Sequence, residues 1–230
     1  MRSDRSARGW ALGFAQDYFG WDSVAASVVT GTTGWRHMLA LWEREGEGMY
    51  ARPDYVLRQE WFHGACDTVV SRACPAFFDA LSPSATLVDF GCGTAESYRR
   101  HWLDRGGRAI LMDVETPNLD YVRAKYPQDT VAIRPVSQGL PTKIDALLCL
   151  DVLEHLRDPM PVLRELWEHL RPGGQALLWF DGTLPAAGHY PEAIAQLPAY
   201  DWWVQQQTIP HYRGMVDWLE KPRRWWQVLA

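Results

Sequence analysis

The feature that most constrains this chain is a regular alternation of short apolar runs and helical stretches between residues 86 and 181. The apolar runs that predict strands are 86–90, 109–114, 130–136, 144–150 and 176–180. The helical stretches between them are 95–104, 119–125 and 159–170. Because β-α-β units take right-handed crossovers, this order predicts a mostly parallel sheet with helices on both faces.

The first predicted strand ends in a glycine turn, Asp89-Phe90-Gly91-Cys92-Gly93. In an open α/β sheet, ligands bind outside the carboxyl ends of the strands, which is where this turn lies. Gly91 and Gly93 lack Cβ atoms, so the backbone can bend sharply and a ligand can approach it closely. Cys92 is interpreted as a small residue between the glycines and not as a nucleophile. The turn therefore predicts a nucleotide-binding site.

The residues around this turn do not suit a dinucleotide. A G-x-G-x-x-G fingerprint would place a glycine where this chain has Glu96, whose charge opposes a pyrophosphate at the helix N-terminus. The second predicted strand ends at Asp113, which can accept hydrogen bonds from both hydroxyls of a ribose. Together these residues favour a nucleoside ligand that carries cationic groups and no phosphate.

Four segments resemble the class I S-adenosylmethionine-dependent methyltransferases, in particular the small-molecule branch related to the quinone methyltransferases. The segments are 87–94, 111–114, 145–156 and 170–174. The resemblance implies an α/β, Rossmann-like class I methyltransferase fold, with a mostly parallel seven-stranded sheet, helices on both faces and an N-terminal helical lid. It also implies S-adenosylmethionine as the cofactor.

The resemblance further assigns cofactor-binding residues. It implies that the cofactor lies against Asp89, Gly91, Cys92, Gly93, Asp113, Val114, Leu150 and Asp151. Asp113 would bind the ribose, and Val114 would pack on the adenine. Relatives commonly carry an acidic residue after the third strand, near the adenine amino group. This chain has Ser137 and Gln138 there, either of which would offer a neutral hydrogen bond.

The acceptor side of the site is less defined by sequence. His155, in the Glu154-His155 pair after the fourth strand, is a candidate general base, because an imidazole titrates near neutral pH. The alternative is that His155 only packs and donates or accepts a hydrogen bond between strand and helix. Aromatic faces stabilise a sulfonium, and the candidates for such walls are Tyr18, Trp21, Tyr50, Tyr55 and Trp179. Arg58 is a candidate partner for the cofactor carboxylate.

Composition excludes several classes of partner. The formal net charge of -5 predicts no nucleic-acid partner, and the absence of a long apolar run predicts no membrane span. The four cysteines are widely spaced and follow no recognisable secretory leader, which favours a cytoplasmic protein with reduced thiols. The seven histidines show no close pairing along the sequence, so no metal site is expected. A monomer or a homodimer with a small-molecule substrate is expected.

The length of 230 residues predicts a single domain with three parts. Residues 1–85 are expected to form a helical lid and substrate-binding segment, and 86–181 the cofactor-binding core. Residues 182–230 would add a helix and strands that complete the sheet. The Trp-rich flanks on either side of the core are expected to contact the substrate or a dimer partner.

Three functions remain open at this point. The leading hypothesis is methyl transfer to a small metabolite, catalysed mainly by positioning the acceptor near the methyl group. The second is a related enzyme that uses the cofactor as its substrate, cyclising its aminobutyrate arm to azetidine-2-carboxylate and releasing methylthioadenosine. The third is a catalytically silent module that only binds the cofactor.

Overall fold

A seven-stranded sheet lies at the centre of the chain. The computed structural model describes residues 35–52, 55–56, 59, 69–95, 100–126, 131–184, 186–207, 209–212 and 216–223. The strands are β1 (Thr86–Phe90), β2 (Arg108–Asp113), β3 (Val131–Pro135), β4 (Ile144–Leu150), β5 (Leu170–Trp179), β6 (Ile209–Tyr212) and β7 (Asp217–Glu220).

The strands pair in the order β3-β2-β1-β4-β5-β7-β6. Each neighbouring pair from β3 through β5 is parallel, and β7 is antiparallel to both β5 and β6. The prediction of a mostly parallel seven-stranded sheet is confirmed. The order reverses between β1 and β4, so the turn after β1 lies where a crevice opens at the carboxyl edge.

Helices cover both faces of this sheet. They are α1 (Trp35–Glu45), α2 (Val69–Ala80), α3 (Arg100–Asp104), α4 (Pro117–Lys125), α5 (Pro159–His169), α6 (Pro191–Ile194) and α7 (Leu197–Gln206). Short 3-10 helices lie at Gly46–Ala51, Val136–Gln138 and Leu153–His155. Several helices, including α4 and α5, begin with a proline, whose fixed φ suits the first helical turn.

Alternate residues of the central strands feed two separate hydrophobic cores. Leu148 of β4 packs with residues of α2, α3 and α4 on one face, whereas its neighbour Leu147 packs with residues of α5 and α7 on the other. Because successive side chains of a strand point to opposite faces, a strand buried on both sides must be apolar nearly throughout. This pattern explains the almost continuous apolar sequence of β4.

The start of β5 differs from its predicted position. It begins at Leu170, directly after α5 and well before residue 176. Leu170 pairs with Ile144 of β4, and the Gly173 amide donates a hydrogen bond to the Lys221 carbonyl at 2.8 Å. Between Leu170 and Gln175 the pairing with β4 shifts register, and Gly173 has a φ of +75°, so the proline-glycine stretch forms an irregularity inside the strand.

The N-terminal part of the predicted lid is described in pieces. The helix predicted from Trp35 to Glu45 is confirmed as α1, and the 3-10 helix that follows it buries Met49. Its function as a lid stays a prediction. Among the described residues, no helix combines the length and the apolar character needed to cross a membrane.

Lys221, just after β7, fastens the end of the described chain to α5. Its ammonium donates hydrogen bonds to the carbonyls of Trp167, Glu168 and Leu170, at 2.7, 3.1 and 2.7 Å. The last carbonyls of a helix lack partners within the helix, and the helix dipole favours a cation there. The lysine side chain therefore couples β7 to the central layers.

We expect the substitution Lys221→Met to lower the free energy of unfolding by about 1–2 kcal/mol, because it removes these hydrogen bonds and keeps the aliphatic chain. Lys143→Met is the matched control at an exposed lysine, and it should change the free energy by less than about 0.5 kcal/mol. Urea unfolding followed by circular dichroism measures both. Equal effects of the two substitutions would contradict this role for Lys221.

Candidate functional site

The glycine turn after β1 has the geometry that its sequence predicts. Gly91 and Gly93 have φ values of +69° and +53°, a region that favours glycine. A Cβ at Gly91 would also lie 2.4 Å from a methyl group of Val152, so no side chain fits there. The amides of Gly91 and Cys92 both donate to the carbonyl of Met112, at 2.8 and 2.9 Å. The turn is thus bound to the end of β2.

Asp113, the last residue of β2, holds this turn with its side chain. Its Oδ2 accepts a hydrogen bond from the Gly93 amide at 2.6 Å, and its Oδ1 accepts one from the Val114 amide at 2.7 Å. Each carboxylate oxygen has a further lone pair for a ligand hydroxyl. Val114 is 49% exposed, which leaves an apolar face open beside the turn.

The carbonyl side of the turn is held by α4. The ammonium of Lys125 donates to the carbonyls of Thr94 and Ala95, at 3.0 and 3.1 Å, and the Tyr126 hydroxyl donates to Ala95 as well. Ala95 has a φ of +49°, which is uncommon for a residue with a side chain. Sequence analysis identified these residues only as the end of a helix, because nothing in their spacing reveals a partner thirty residues away.

Gln59 is a second residue that sequence analysis missed. Its side-chain amide lies against the turn, since a Cβ added at Gly93 would come within 3.2 Å of Nε2. Its Oε1 is buried and accepts no hydrogen bond from the described residues. A buried carbonyl oxygen in this position is suited to a ligand that donates a hydrogen bond.

The expected adenine contacts lie at the same edge of the sheet. Asp113 pairs with Pro135 of β3, and the 3-10 helix that follows carries Ser137 and Gln138, both exposed. The described residues thus bring these two side chains to the carboxyl end of β3, next to the end of β2. Their contact with adenine stays a prediction.

The end of β4 contributes a second group of predicted residues. Leu150 pairs with Trp179 of β5, so both lie at the carboxyl edge. Asp151 follows with a φ of +61°, a conformation that costs energy for a residue with a Cβ and is frequent at functional sites. Asp89, on β1, is fully buried. The structure therefore assembles the predicted residues of β1, β2 and β4 along one edge.

The structure describes only some of the residues that were predicted to line the substrate and sulfonium pocket. Tyr18, Trp21 and Arg58 lie outside the described residues. Tyr50 and Tyr55 have ring centroids 5.3 Å apart in an edge-to-face contact. The hydroxyl of Tyr50 shares a hydrogen bond of 2.9 Å with Nδ1 of His155.

Burial and neighbouring charges determine the protonation of Tyr50 and His155. Burial raises the pKa of Tyr50, and among its charged neighbours Asp151 and Asp113 raise it further. Burial lowers the pKa of His155, although the charge of Asp151 opposes this change. Near neutral pH the phenol therefore keeps its proton, and burial favours the neutral form of the imidazole.

Two histidines that are far apart in the sequence lie close together in the structure. The rings of His155 and His189 have centroids 4.9 Å apart. The segment after β5 folds back onto the end of β4, where the Tyr190 amide donates to the Glu154 carbonyl at 2.9 Å and the Asp181 amide donates to Glu154 Oε1 at 3.0 Å. The sequence separation of the two histidines conceals this proximity.

These contacts create a cluster of four side chains, Asp151, Glu154, His155 and His189. One oxygen or nitrogen from each lies within 4.8 Å of those of the others. Burial raises the pKa of Glu154 well above its ordinary value, and the neighbouring Asp151 adds to this shift. Carboxylates thus line this edge from β1 to the turn after β4. Such a surface favours cationic ligands and disfavours polyphosphates.

Known proteins share the central part of this chain. A family model described as a methyltransferase domain matches residues 88–178. The ubiquinone biosynthesis O-methyltransferase of Albidiferax ferrireducens is 25% identical over 147 residues, which are 58% of this chain and 50% of that protein. The tRNA 5-carboxymethoxyuridine methyltransferase of Escherichia coli K12 is 36% identical over 160 residues, 63% of this chain and 60% of that protein. The chain thus spans about half to three-fifths of these curated relatives.

A solved structure shares the fold over a larger part of the chain. The 1,6-didemethyltoxoflavin-N1-methyltransferase of Burkholderia thailandensis, with bound 1,6-didemethyltoxoflavin and S-adenosylhomocysteine, superposes with a TM-score of 0.53. The identity is 18%, and the match covers 83% of this chain and 91% of that chain. The fold, the glycine turn and the matched domain agree with the family that the four sequence segments predict. Residues 88–178 of this chain are therefore a methyltransferase domain.

Proposed function

We propose that this chain transfers the methyl group of S-adenosylmethionine to a small metabolite. The observation that carries the proposal is the carboxyl edge of the sheet, where the glycine turn lies beside the carboxylates of Asp89, Asp113 and Asp151. S-adenosylmethionine is a nucleoside with an ammonium and a sulfonium and without a phosphate. Its charges complement this edge, whereas a pyrophosphate would be repelled.

The residues present fit this cofactor. Asp89, Gly91, Cys92 and Gly93 would lie along its methionine part, and the buried Oε1 of Gln59 would accept a hydrogen bond from its ammonium. The Asp113 carboxylate would accept the ribose hydroxyls, and the exposed face of Val114 would pack against the adenine. Bound there, the cofactor supplies an electrophilic methyl group.

On the acceptor side, Tyr50 and His155 form the wall nearest to the end of β4. The hydrogen bond between them and the ring contact of His155 with His189 support the interpretation that His155 positions its neighbours. The role of His155 as a general base stays a prediction. Trp179 and Leu150 lie at the same edge and would add apolar surface.

A small acceptor is favoured over a nucleic acid, although one relative acts on tRNA by its name. The formal net charge of -5 provides no strong positive field for a phosphate backbone. The carboxylates at the carboxyl edge would repel the same backbone locally. Transfer RNA is therefore included among the acceptors of the test.

Analysis of the reaction products tests the proposed function. Purified protein is incubated with S-adenosylmethionine alone, with phenolic, hydroxylated and amine metabolites, and with bulk tRNA, and the products are identified by mass spectrometry. We expect S-adenosylhomocysteine only in the presence of a small acceptor. Methylthioadenosine without an acceptor would favour the cyclisation alternative, and methylation of tRNA alone would overturn the small-metabolite proposal. Cofactor binding with no product under any condition would favour a silent module.

Asp113→Ala tests the binding of the cofactor. The substitution removes both the acceptor of the turn amides and the proposed ribose ligand, so Kd for S-adenosylmethionine should rise about 10- to 100-fold. Glu115→Ala is the matched control, because this carboxylate is exposed and pairs with Arg123 on the surface. Isothermal titration calorimetry measures both values. An unchanged affinity in Asp113→Ala would contradict the proposed cofactor site.

Lys125→Met tests whether the clamp on the carbonyls of the turn contributes to binding. Losing the ammonium leaves the Thr94 and Ala95 carbonyls without this donor, and we expect a rise of about tenfold in Kd for the cofactor. Arg123→Met, on the same helix, should leave Kd unchanged. Both titrations are made at a temperature well below the Tm of each variant. Equal Kd values for the two variants would show that the clamp serves stability alone.

A further inference from the structure

Two segments that are distant in sequence bring potential metal ligands together. Asp151, Glu154 and His155 follow β4, and His189 comes from the segment after β5, with all four ligand atoms within 4.8 Å of one another. In a closed tetrahedral site with bonds of about 2.0–2.1 Å, neighbouring ligand atoms lie about 3.3 Å apart. A small contraction of side chains would therefore complete such a site.

Glu154 provides an independent indication of a missing partner. Its side chain is completely buried, and Oε1 accepts the hydrogen bond from the Asp181 amide. Oε2 is also buried, but it accepts no hydrogen bond from any described residue. A buried carboxylate oxygen without a donor is costly, and the adjacent carboxylate of Asp151 increases the cost. A cation in this position would satisfy Oε2 of Glu154.

The histidines are oriented as metal ligands usually are. Nδ1 of His189 lies 2.9 Å from the Thr183 carbonyl, an acceptor, so Nδ1 must carry the proton and Nε2 keeps its lone pair. Nδ1 of His155 lies 2.9 Å from the Tyr50 hydroxyl, and Nε2 of His155 keeps its lone pair in the tautomer whose Nδ1 donates to the phenol oxygen. Hydrogen bonds of this kind at the second ring nitrogen fix the tautomer and the ring orientation of ligating histidines.

We propose that Asp151, Glu154, His155 and His189 bind one divalent transition-metal cation. The mixture of two carboxylates and two imidazoles suits Zn²⁺, Mn²⁺ or Co²⁺ better than Mg²⁺ or Ca²⁺, which prefer oxygen ligands alone. The cation would tie the segment carrying His189 to the end of β4 and so form one wall of the acceptor pocket. This replaces the sequence-based expectation of no metal, and it does not depend on methyl transfer.

Direct titration tests the site without the cofactor. Protein without a polyhistidine tag is treated with chelator, transferred to metal-free buffer and titrated with Zn²⁺ by calorimetry, with Mg²⁺ titrated for comparison. We expect a one-to-one site with a Kd for Zn²⁺ below about 10 µM and at least tenfold weaker binding of Mg²⁺. Thermal unfolding with and without Zn²⁺ should show a rise in Tm on binding.

Two ligand variants and one control decide whether the binding occurs at this cluster. Glu154→Gln and His189→Asn should each weaken Zn²⁺ binding by about 100-fold or more, since even outer-shell changes cost 10- to 100-fold. His101→Asn, at an exposed histidine of α3, should bind like the unmodified chain. Without metal, Glu154→Gln should unfold at the same or a higher temperature than the unmodified chain, because it replaces a buried carboxyl whose Oε2 accepts no hydrogen bond from the described residues. In Glu154→Gln, addition of Zn²⁺ should no longer raise Tm.

Three results would overturn the proposal. The first is that the unmodified chain does not bind Zn²⁺, and the second is that all variants bind it equally. The third is that metal-free Glu154→Gln is less stable than the unmodified chain while His189→Asn keeps its full affinity for Zn²⁺. A metal site that fails these tests leaves the product analysis of the methyltransferase proposal untouched. Conversely, Zn²⁺ binding lost in both ligand variants would support the site even if no methylated product is found.

Discussion

The carboxylate of Asp113 accepts hydrogen bonds from the amides of Gly93 and Val114, and the rest of the candidate site depends on these bonds. They fasten the turn after β1 to the end of β2, and Lys125 fastens the other side of the same turn to α4. The turn is thus held through both its amides and its carbonyls. Because little backbone reorganisation is needed, a ligand binding there loses little affinity to ordering of the protein.

Sequence predicts the parts of this arrangement that are encoded locally. The apolar run of β4 requires a strand buried on both faces, and the turn after β1 requires glycines at the positive φ values that the structure contains. The position of Asp113 follows from register, since parallel strands end at the same edge. Each of these features depends on residues within one β-α-β unit, which explains why the patterns were sufficient.

The features that sequence did not predict all depend on contacts between distant segments. Lys125 reaches the turn from the far end of α4, and Gln59 reaches it from the segment before α2. His189 meets His155 because the segment after β5 folds back over Glu154. Neither Lys125 nor His189 lies in a motif that reveals its partner. The start of β5 was misplaced for the same reason, because Leu170 joins the sheet only through its pairing with Ile144 of β4.

Both proposed ligands, the cofactor and the metal cation, would neutralise carboxylates at the carboxyl edge of the sheet. The carboxyl edge carries Asp89, Asp113 and Asp151 together with Glu154. Burial raises the pKa of the Cys149 thiol, and Glu154 and Asp89 raise it further. Negative charge of this density in a poorly hydrated crevice is unfavourable unless cations neutralise it. A cationic cofactor would do so along β1 and β2, but Glu154 lies at the segment after β5, where its Oε1 accepts the Asp181 amide and its buried Oε2 accepts no hydrogen bond from the described residues. A separate metal cation would therefore neutralise the part of the edge that the cofactor does not cover.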